Sequence, residues 1–416
     1  MSAEKFTLPF GATGSFTGHI DSARLSGRFT PPAPIADLKA AVANAAAAPP
    51  DFPPLHQALV RGDRVMVILD RNTPQPAHVV AGLFEEFAKR EIAAADVTIL
   101  QPVSYLAEKP ADPRAALPEA ARELVRWVIH DPLPEDSCTY LATTVDGERI
   151  YLSKELVDAD VTILVGAVEF DRLWGYRGLQ SSIYPGLSNV ESLKKAHGQP
   201  HEELQTDDSR PLRQKADEIA WLLGVHFAVG IVPAAEGGGS QVFAGPVESV
   251  LKQSQEALNA HWRFTTNEPP ELVLISVDRD ASGHGWTQLA TALETAKSIV
   301  AKDGKIGILT ELNAPLTEGL QLIRDTRKPR DAMRPLREQS PPDLAIATAL
   351  AKAVEWANVY LLSHLDPDLV EDMFMVPLAN TDEVQRLITG EDSIAIIASG
   401  QHVCSDSAAT SHAAKG

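Results

Sequence analysis

The densest chemistry in the chain runs from Val165 to His197 (VGAVEFDRLWGYRGLQSSIYPGLSNVESLKKAH), where Glu169, Asp171, Arg172, Tyr176, Arg177 and His197 surround three glycines and a Pro-Gly turn. Carboxylates that exchange protons, guanidiniums that hold anions and an imidazole that can ligate a metal are the ingredients of an acid–base or metal-assisted site. A plain connection between elements does not require so many of them. The basic Lys194, Lys195 and His197 also suit the end of a helix begun near Ser188, where cations complement the dipole, so His197 taken alone fits a capping or surface role as well as a ligand role.

A second candidate is Asp70 to Pro76 (DRNTPQP), set between a strand-like run and a helix-like one. At a strand's carboxyl end its carboxylate, amide and hydroxyl can face a ligand. The same residues suit a capped turn, with Asn72 or Thr73 capping and Pro74 in the first helical turn. The glycine run Glu236 to Ser240 (EGGGS) has strand-like pieces on both sides and no following lysine, so a hairpin loop is expected rather than a phosphate loop. His284 in SGHGW follows a strand end and reads equally as a ligand-facing group or a turn histidine. Cys138 and Cys404 are the only cysteines and have no CxxC spacing, which excludes a thiolate zinc cluster and a disulfide framework.

The elements that must position these groups are apolar, β-branched runs: Arg64 to Asp70, Asp96 to Leu100, Asp160 to Gly166, Glu271 to Val277, Lys305 to Thr310 and Asn358 to Ser363. Continuous apolar runs of this length are typical of strands covered on both faces. Helix-like segments such as Ala77 to Arg90 and Gln288 to Lys302 lie between them, which predicts right-handed parallel crossovers. A Pro-rich lead-in, Pro31 to Pro54, encloses an alanine-rich helix candidate at Ile35 to Ala48, and a Pro break at Thr265 to Pro270 marks a boundary. The expected organisation is a two-domain α/β protein: residues 1–268, residues 269–404, and a disordered tail at 405–416.

At 416 residues, 44% hydrophobic and 22% charged, the chain has the balance of a globular protein, and no apolar run approaches the roughly 18 residues of a membrane span. The opening MSAEKFTLPFGATGSF lacks a basic start with an apolar core, so a cytoplasmic location is expected. A formal charge of −19 repels nucleic-acid phosphates, and the basic stretch Arg324 to Arg337 is interrupted by prolines and aspartates.

Within Val165 to His197 the chain resembles the nickel-pincer lactate racemase family. Gly166, Glu169, Gly175, Tyr176, Gly178, Pro185, Gly186 and His197 fall into that family's frame without a gap, supported by His130-Asp131, Phe243-Ala244-Gly245 and Asp366 to Met375 (DPDLVEDMFM), over roughly residues 60 to 390. The resemblance implies a two-domain lactate-racemase-like fold with mostly parallel sheets, a cleft between the domains, and racemisation of a 2-hydroxy acid by a nickel-bearing pincer nucleotide. Carried over by position, it makes His197 the nickel ligand, Asp171 and Tyr105 the occupants of the two catalytic histidine positions, and Asp70, Asn72, Thr73, Tyr176 and Ser181 further cofactor-site positions. Ser181 stands where the family has the lysine that anchors the pincer, and a serine cannot form that amine-derived link. The substrate-gripping arginine falls on Thr73, with Arg71 two positions away, and the tyrosine-glutamine-lysine group of the second domain has no clear counterpart around Gln288 to Ala292.

Three readings follow: a racemase or epimerase of a small hydroxy acid or sugar acid with a noncovalently held pincer, a cleft enzyme that works without the pincer, or a non-catalytic binding protein. Each implies a small anionic organic substrate or ligand, no nucleic acid and no membrane, and leaves homo-oligomerisation open.

Overall fold

The computed structural model describes residues 3–50, 52–102, 109–196, 204, 206–225, 227–281, 283–390 and 392–405. The chain builds two six-stranded sheets. In the first, the strands lie in the order Gly239–Gly245, Phe227–Pro233, Val161–Ala167, Val65–Leu69, Val97–Gln101 and Arg126–Ile129. Every pairing in it is parallel except that of Phe227–Pro233 with Gly239–Gly245, the hairpin expected around the glycine run. The second sheet is parallel throughout, in the order Val376–Leu378, Asn358–Leu362, Lys305–Leu309, Leu272–Ser276, Ile394–Ile397 and Leu25–Phe29.

The strand sequences explain the layers. In Val65–Leu69 every residue is buried, but alternate side chains enter different cores. Val65, Val67 and Leu69 pack with the helices Leu38–Ala47 and Pro76–Ala88, as the lead-in predicts. Met66 and Ile68 enter a large core that also takes Val273 and Ile275 of the second sheet and Leu289, Leu293 and Ala296 of the helix Trp286–Ile299. One continuous interior therefore joins the two sheets. Leu272 and Leu274 face the opposite way, onto the N-terminal hairpin Ala3–Phe10 and Gly14–Asp21.

Four strands of the two sheets lie outside the runs that the sequence marks: Leu25–Phe29, Arg126–Ile129, Val376–Leu378 and Ile394–Ile397. Leu25–Phe29 crosses from the N-terminal part to the edge of the second sheet, beside Ile394–Ile397. All four are short, three to five residues each. Ser405, expected in the tail, is buried and pairs with Phe264, while residues 406–416 lie outside the described residues. Among the described residues no helix is long and apolar enough to cross a membrane.

Strand order fixes where a site can form. In the first sheet the chain moves outward from Val65–Leu69 to Val97–Gln101 and Arg126–Ile129, then returns to place Val161–Ala167 on the other side of Val65–Leu69. The second sheet repeats the reversal at Leu272–Ser276, with Lys305–Leu309 on one side and Ile394–Ile397 on the other. At such a switch point the loops leaving neighbouring strands diverge and open a crevice beyond their carboxyl ends.

Candidate active site

A cavity of about 370 Å³ is lined from both switch points. The first sheet contributes Asp70, Arg71 and Asn72 after Val65–Leu69, and Glu169, Phe170 and Asp171 after Val161–Ala167. The second contributes Asp280 after Leu272–Ser276 and Gln401 and His402 after Ile394–Ile397, with Thr287, Gln288 and Thr291 from the helix Trp286–Ile299. Trp174, Arg177, Ser181 and Ser182 complete the first side.

Close backbone approach lets the first switch point form. A Cβ on Gly166 would stand 2.4 Å from the Cβ of Asp70, so only glycine lets these strands continue side by side into the site. Asp70 to Thr73 then close a turn, Thr73 N donating to Asp70 O at 3.2 Å. Its two central residues, Arg71 and Asn72, line the cavity, whereas Thr73 is buried with its hydroxyl donating to the Asp70 carbonyl at 2.6 Å. Arg71 and Thr73, two positions apart, thus face different sides of the turn, and it is Arg71 that reaches the cavity.

The hairpin Glu169–Asp171 and Gly175–Arg177 sets the next groups. Glu169 lies directly opposite Arg177, and the pair is joined at 3.1 Å. Arg177 also grips the fully buried Asp70 with one nitrogen, at 2.8 and 3.0 Å to the two carboxylate oxygens. Glu169 takes a further hydrogen bond from Asn72 at 2.7 Å and contacts His402 Nδ1 at 3.2 Å through its other oxygen. Asp70, Arg177, Glu169 and His402 thus form one chain of alternating charge from the first half of the protein to the second.

Burial opposes the charged form of Glu169, but the hydrogen bond and charge of His402, the charge of Arg177 and the Asn72 amide outweigh it and bring its pKa down to about 2. For His402 burial again favours the neutral form, and the Glu169 hydrogen bond and charge, helped by Asp280 and Asp278, hold the pKa above the ordinary imidazole value. The depressed carboxyl contributes stability above its ordinary pKa of 4.5 that is lost as the pH falls toward 2. The raised histidine contributes stability below 6.5 that is lost as the pH rises through its folded value. The difference in melting temperature between wild type and His402→Asn is therefore expected to be largest between pH 4.5 and 6.5 and to shrink on both sides. Thermal melts across pH check this, and a difference independent of pH would exclude an ion pair.

Asp171 stands apart from this chain. One of its oxygens accepts from the backbone N–H groups of Leu173 at 2.7 Å and Trp174 at 3.0 Å. Burial pushes its pKa up, and those N–H groups and the charge of Arg177 only partly offset the effect. A carboxyl with a raised pKa on a cavity wall is poised to exchange a proton.

Asp70, Asn72, Asp171 and Ser181 are thus brought together in the cavity. Thr73 is packed behind it, and Tyr176 is turned away, its hydroxyl hydrogen-bonded to Asp207 and to Asn259 (2.8 Å) and its ring against Phe170. Tyr105 and His197 lie outside the described residues. The sequence pattern singled out neither Asp280 nor His402, although His402 follows an apolar strand run. It found no counterpart for the second-domain group, yet Thr287, Gln288 and Thr291 reach the cavity, and the Gln288 amide holds Asp280 at 3.1 Å. His284 is structural: its Nδ1 faces the Asp278 carbonyl at 3.2 Å, and its Nε2 lies 2.6 Å from the Thr310 hydroxyl and accepts from Glu311 N at 2.9 Å.

The cavity does not fit a covalently anchored pincer. The Ser181 hydroxyl donates to the Gly178 carbonyl at 2.7 Å, and no lysine is among the described residues that line the cavity. No group of three or more metal-binding side chains occurs among the described residues.

Residues 13–207 match the model of the lactate racemase N-terminal domain. The chain is 22% identical over 372 residues to the lactate racemase of Thermoanaerobacterium thermosaccharolyticum, covering 83% of this chain and 86% of that protein. The apoprotein structure of lactate racemase from the same organism superposes with a TM-score of 0.77 at 19% identity, covering 97% of this chain and 100% of the other. A Thermotoga maritima protein of solved structure gives a TM-score of 0.67 at 14% identity, covering 91% of this chain and 100% of the other.

Proposed function

Because the chain belongs to the lactate racemase family, we propose that it is an isomerase that inverts a hydroxyl-bearing carbon beside a carbonyl or carboxyl group, in a small hydroxy acid or sugar acid held in the cleft. The observation that carries this reading is Asp171, a cavity-lining carboxyl whose pKa burial raises toward the range in which it can take and return a proton. Arg71, a guanidinium that lines the cavity, receives the substrate's carboxylate.

The route proposed needs no anchored cofactor and runs by proton transfer at carbon. Asp171 removes the proton beside the carbonyl, the C–H electron pair moves toward that carbonyl, and the charge collects on its oxygen. Return of a proton to the opposite face gives the other stereoisomer.

The test is incubation of the full chain in D2O with each enantiomer of lactate, glycerate and tartrate and with 2-keto sugar acids, followed by chiral chromatography and proton NMR. Inversion with loss of the signal from the inverted carbon is expected for at least one pair. Inversion with the original hydrogen retained would overturn the proton-transfer route, and no inversion of any pair would overturn the isomerase reading.

A further inference from the structure

We propose that His402 is the second proton-transfer residue of the cleft, delivering and removing the proton on the face opposite Asp171, with Glu169 as its positioning residue. This rests on the reading of the cleft as a site of stereochemical inversion. Three features of the site support it.

The first is placement. Asp171 follows Val161–Ala167, beside the switch point of one sheet, and His402 follows Ile394–Ile397, beside that of the other, so the same cavity is served by one titratable group from each half. A stereocentre inverted by proton transfer needs a donor and an acceptor on different sides of one carbon. Two residues of one loop reach different sides only with difficulty, whereas residues of two facing crevices do so by construction.

The second is orientation. Glu169 is ionised and buried, so the Nδ1 it contacts at 3.2 Å is the nitrogen that carries hydrogen and donates. Nε2 is then the nitrogen that titrates, and among the described residues it has no hydrogen-bond partner, while the ring lines the cavity. The Trp262 indole meets the ring edge-to-face at 5.4 Å and restricts its rotation. Asp278 and Asp280, from the neighbouring strand end, add negative charge that favours the imidazolium.

The third is energetic. A carboxylate bonded to the far nitrogen both holds the tautomer and stabilises the charge that appears when Nε2 is protonated. Burial of an imidazole by itself would disfavour that charge.

In one direction the Asp171 carboxylate takes the proton from carbon and the imidazolium gives one from Nε2 to the opposite face, the enolate electron pair forming the new C–H bond. Asp171 ends protonated and His402 neutral, which is the state required for the reverse direction, and exchange with solvent restores the first state. No oxidant or reductant is consumed.

The experiment uses the full chain and the enantiomer pair that wild type inverts most rapidly in D2O. His402→Asn, which keeps an N–H toward Glu169, is expected to slow inversion in both directions by on the order of 100-fold or more, while the enantiomer deprotonated by Asp171 still exchanges its carbon-bound hydrogen without inverting. Glu169→Gln is expected to lower the pH at which the histidine limb of the kcat profile appears, a change that a purely structural role would not produce. Inversion by His402→Asn within a few-fold of wild type would overturn the proposal and leave the isomerase reading standing. Loss of exchange from both enantiomers together would overturn it as well, because the two groups would not be serving separate faces. Failure of wild type to invert any pair would overturn both.

Discussion

Replacing Arg177 with leucine is expected to lower the free energy of unfolding by about 3–5 kcal/mol. The guanidinium supports two carboxylates at once: Asp70, with no exposed surface, and Glu169, whose side chain is 11% exposed. Leucine would leave the Asp70 carboxylate in the interior with the Asn72 backbone N–H, at 3.0 Å, among its few remaining partners. Breaking a buried pair from one side costs far more than the pair itself contributes, because the stranded charge has lost its water as well as its partner. Arg177→Lys keeps the charge but not the planar fork and is expected to fall between wild type and leucine. Urea denaturation monitored by circular dichroism measures all three, and a loss below about 1 kcal/mol for leucine would remove Arg177 as the support of the cleft floor.

Asp171→Asn is expected to reduce kcat for inversion by about 100- to 10,000-fold, the range that a positioned acid–base group supplies. The stability change should have the opposite character from that of Arg177→Leu. The amide oxygen of asparagine can still accept from Leu173 and Trp174, and a group whose pKa is raised by burial gains when its charge is removed. A melting temperature equal to or above wild type, with inversion lost, is therefore the expected pair of results. A drop in kcat of less than 10-fold would take Asp171 out of the chemistry. A fall in melting temperature comparable to that of Arg177→Leu would mean that the carboxylate is a structural charge.

The two cases separate residues that look alike in the chain. Asp70 and Asp171 are both aspartates shortly after a buried strand, and both read as candidate site residues. Only the partners distinguish them. Asp70 is gripped through both oxygens by Arg177, which leaves it a structural anion, whereas Asp171 meets backbone N–H groups on one oxygen and an arginine only at a distance.

Arg71 and Tyr176 make the same point in opposite directions. Arg71 stands two positions from the expected one, and a tight turn brings it to the cavity. Tyr176 sits in the motif frame beside Gly175, yet strand alternation sends it to the face opposite Glu169 and Asp171, where Asp207 and Asn259 hold it.

By itself the sequence determined the elements and the side of the sheet on which chemistry would gather. Runs such as Val65–Leu69 and Val161–Ala167 have apolar side chains on both faces, which requires a covered strand, and the polar residues that follow each run mark its carboxyl end. The parallel crossovers, the hairpin at Glu236 to Ser240 and the concentration of polar groups between Glu169 and Arg177 follow from such local patterns. Tertiary structure alone decided which strand ends meet. Apolar periodicity states that a strand is buried but not beside which strand, so nothing near Ile394–Ile397 announces that His402 will lie against Glu169, or that Leu25–Phe29 will close the far edge of the second sheet. Those contacts come from the order in which covered strands stack, which is set by packing summed over the whole interior rather than by any segment of the chain.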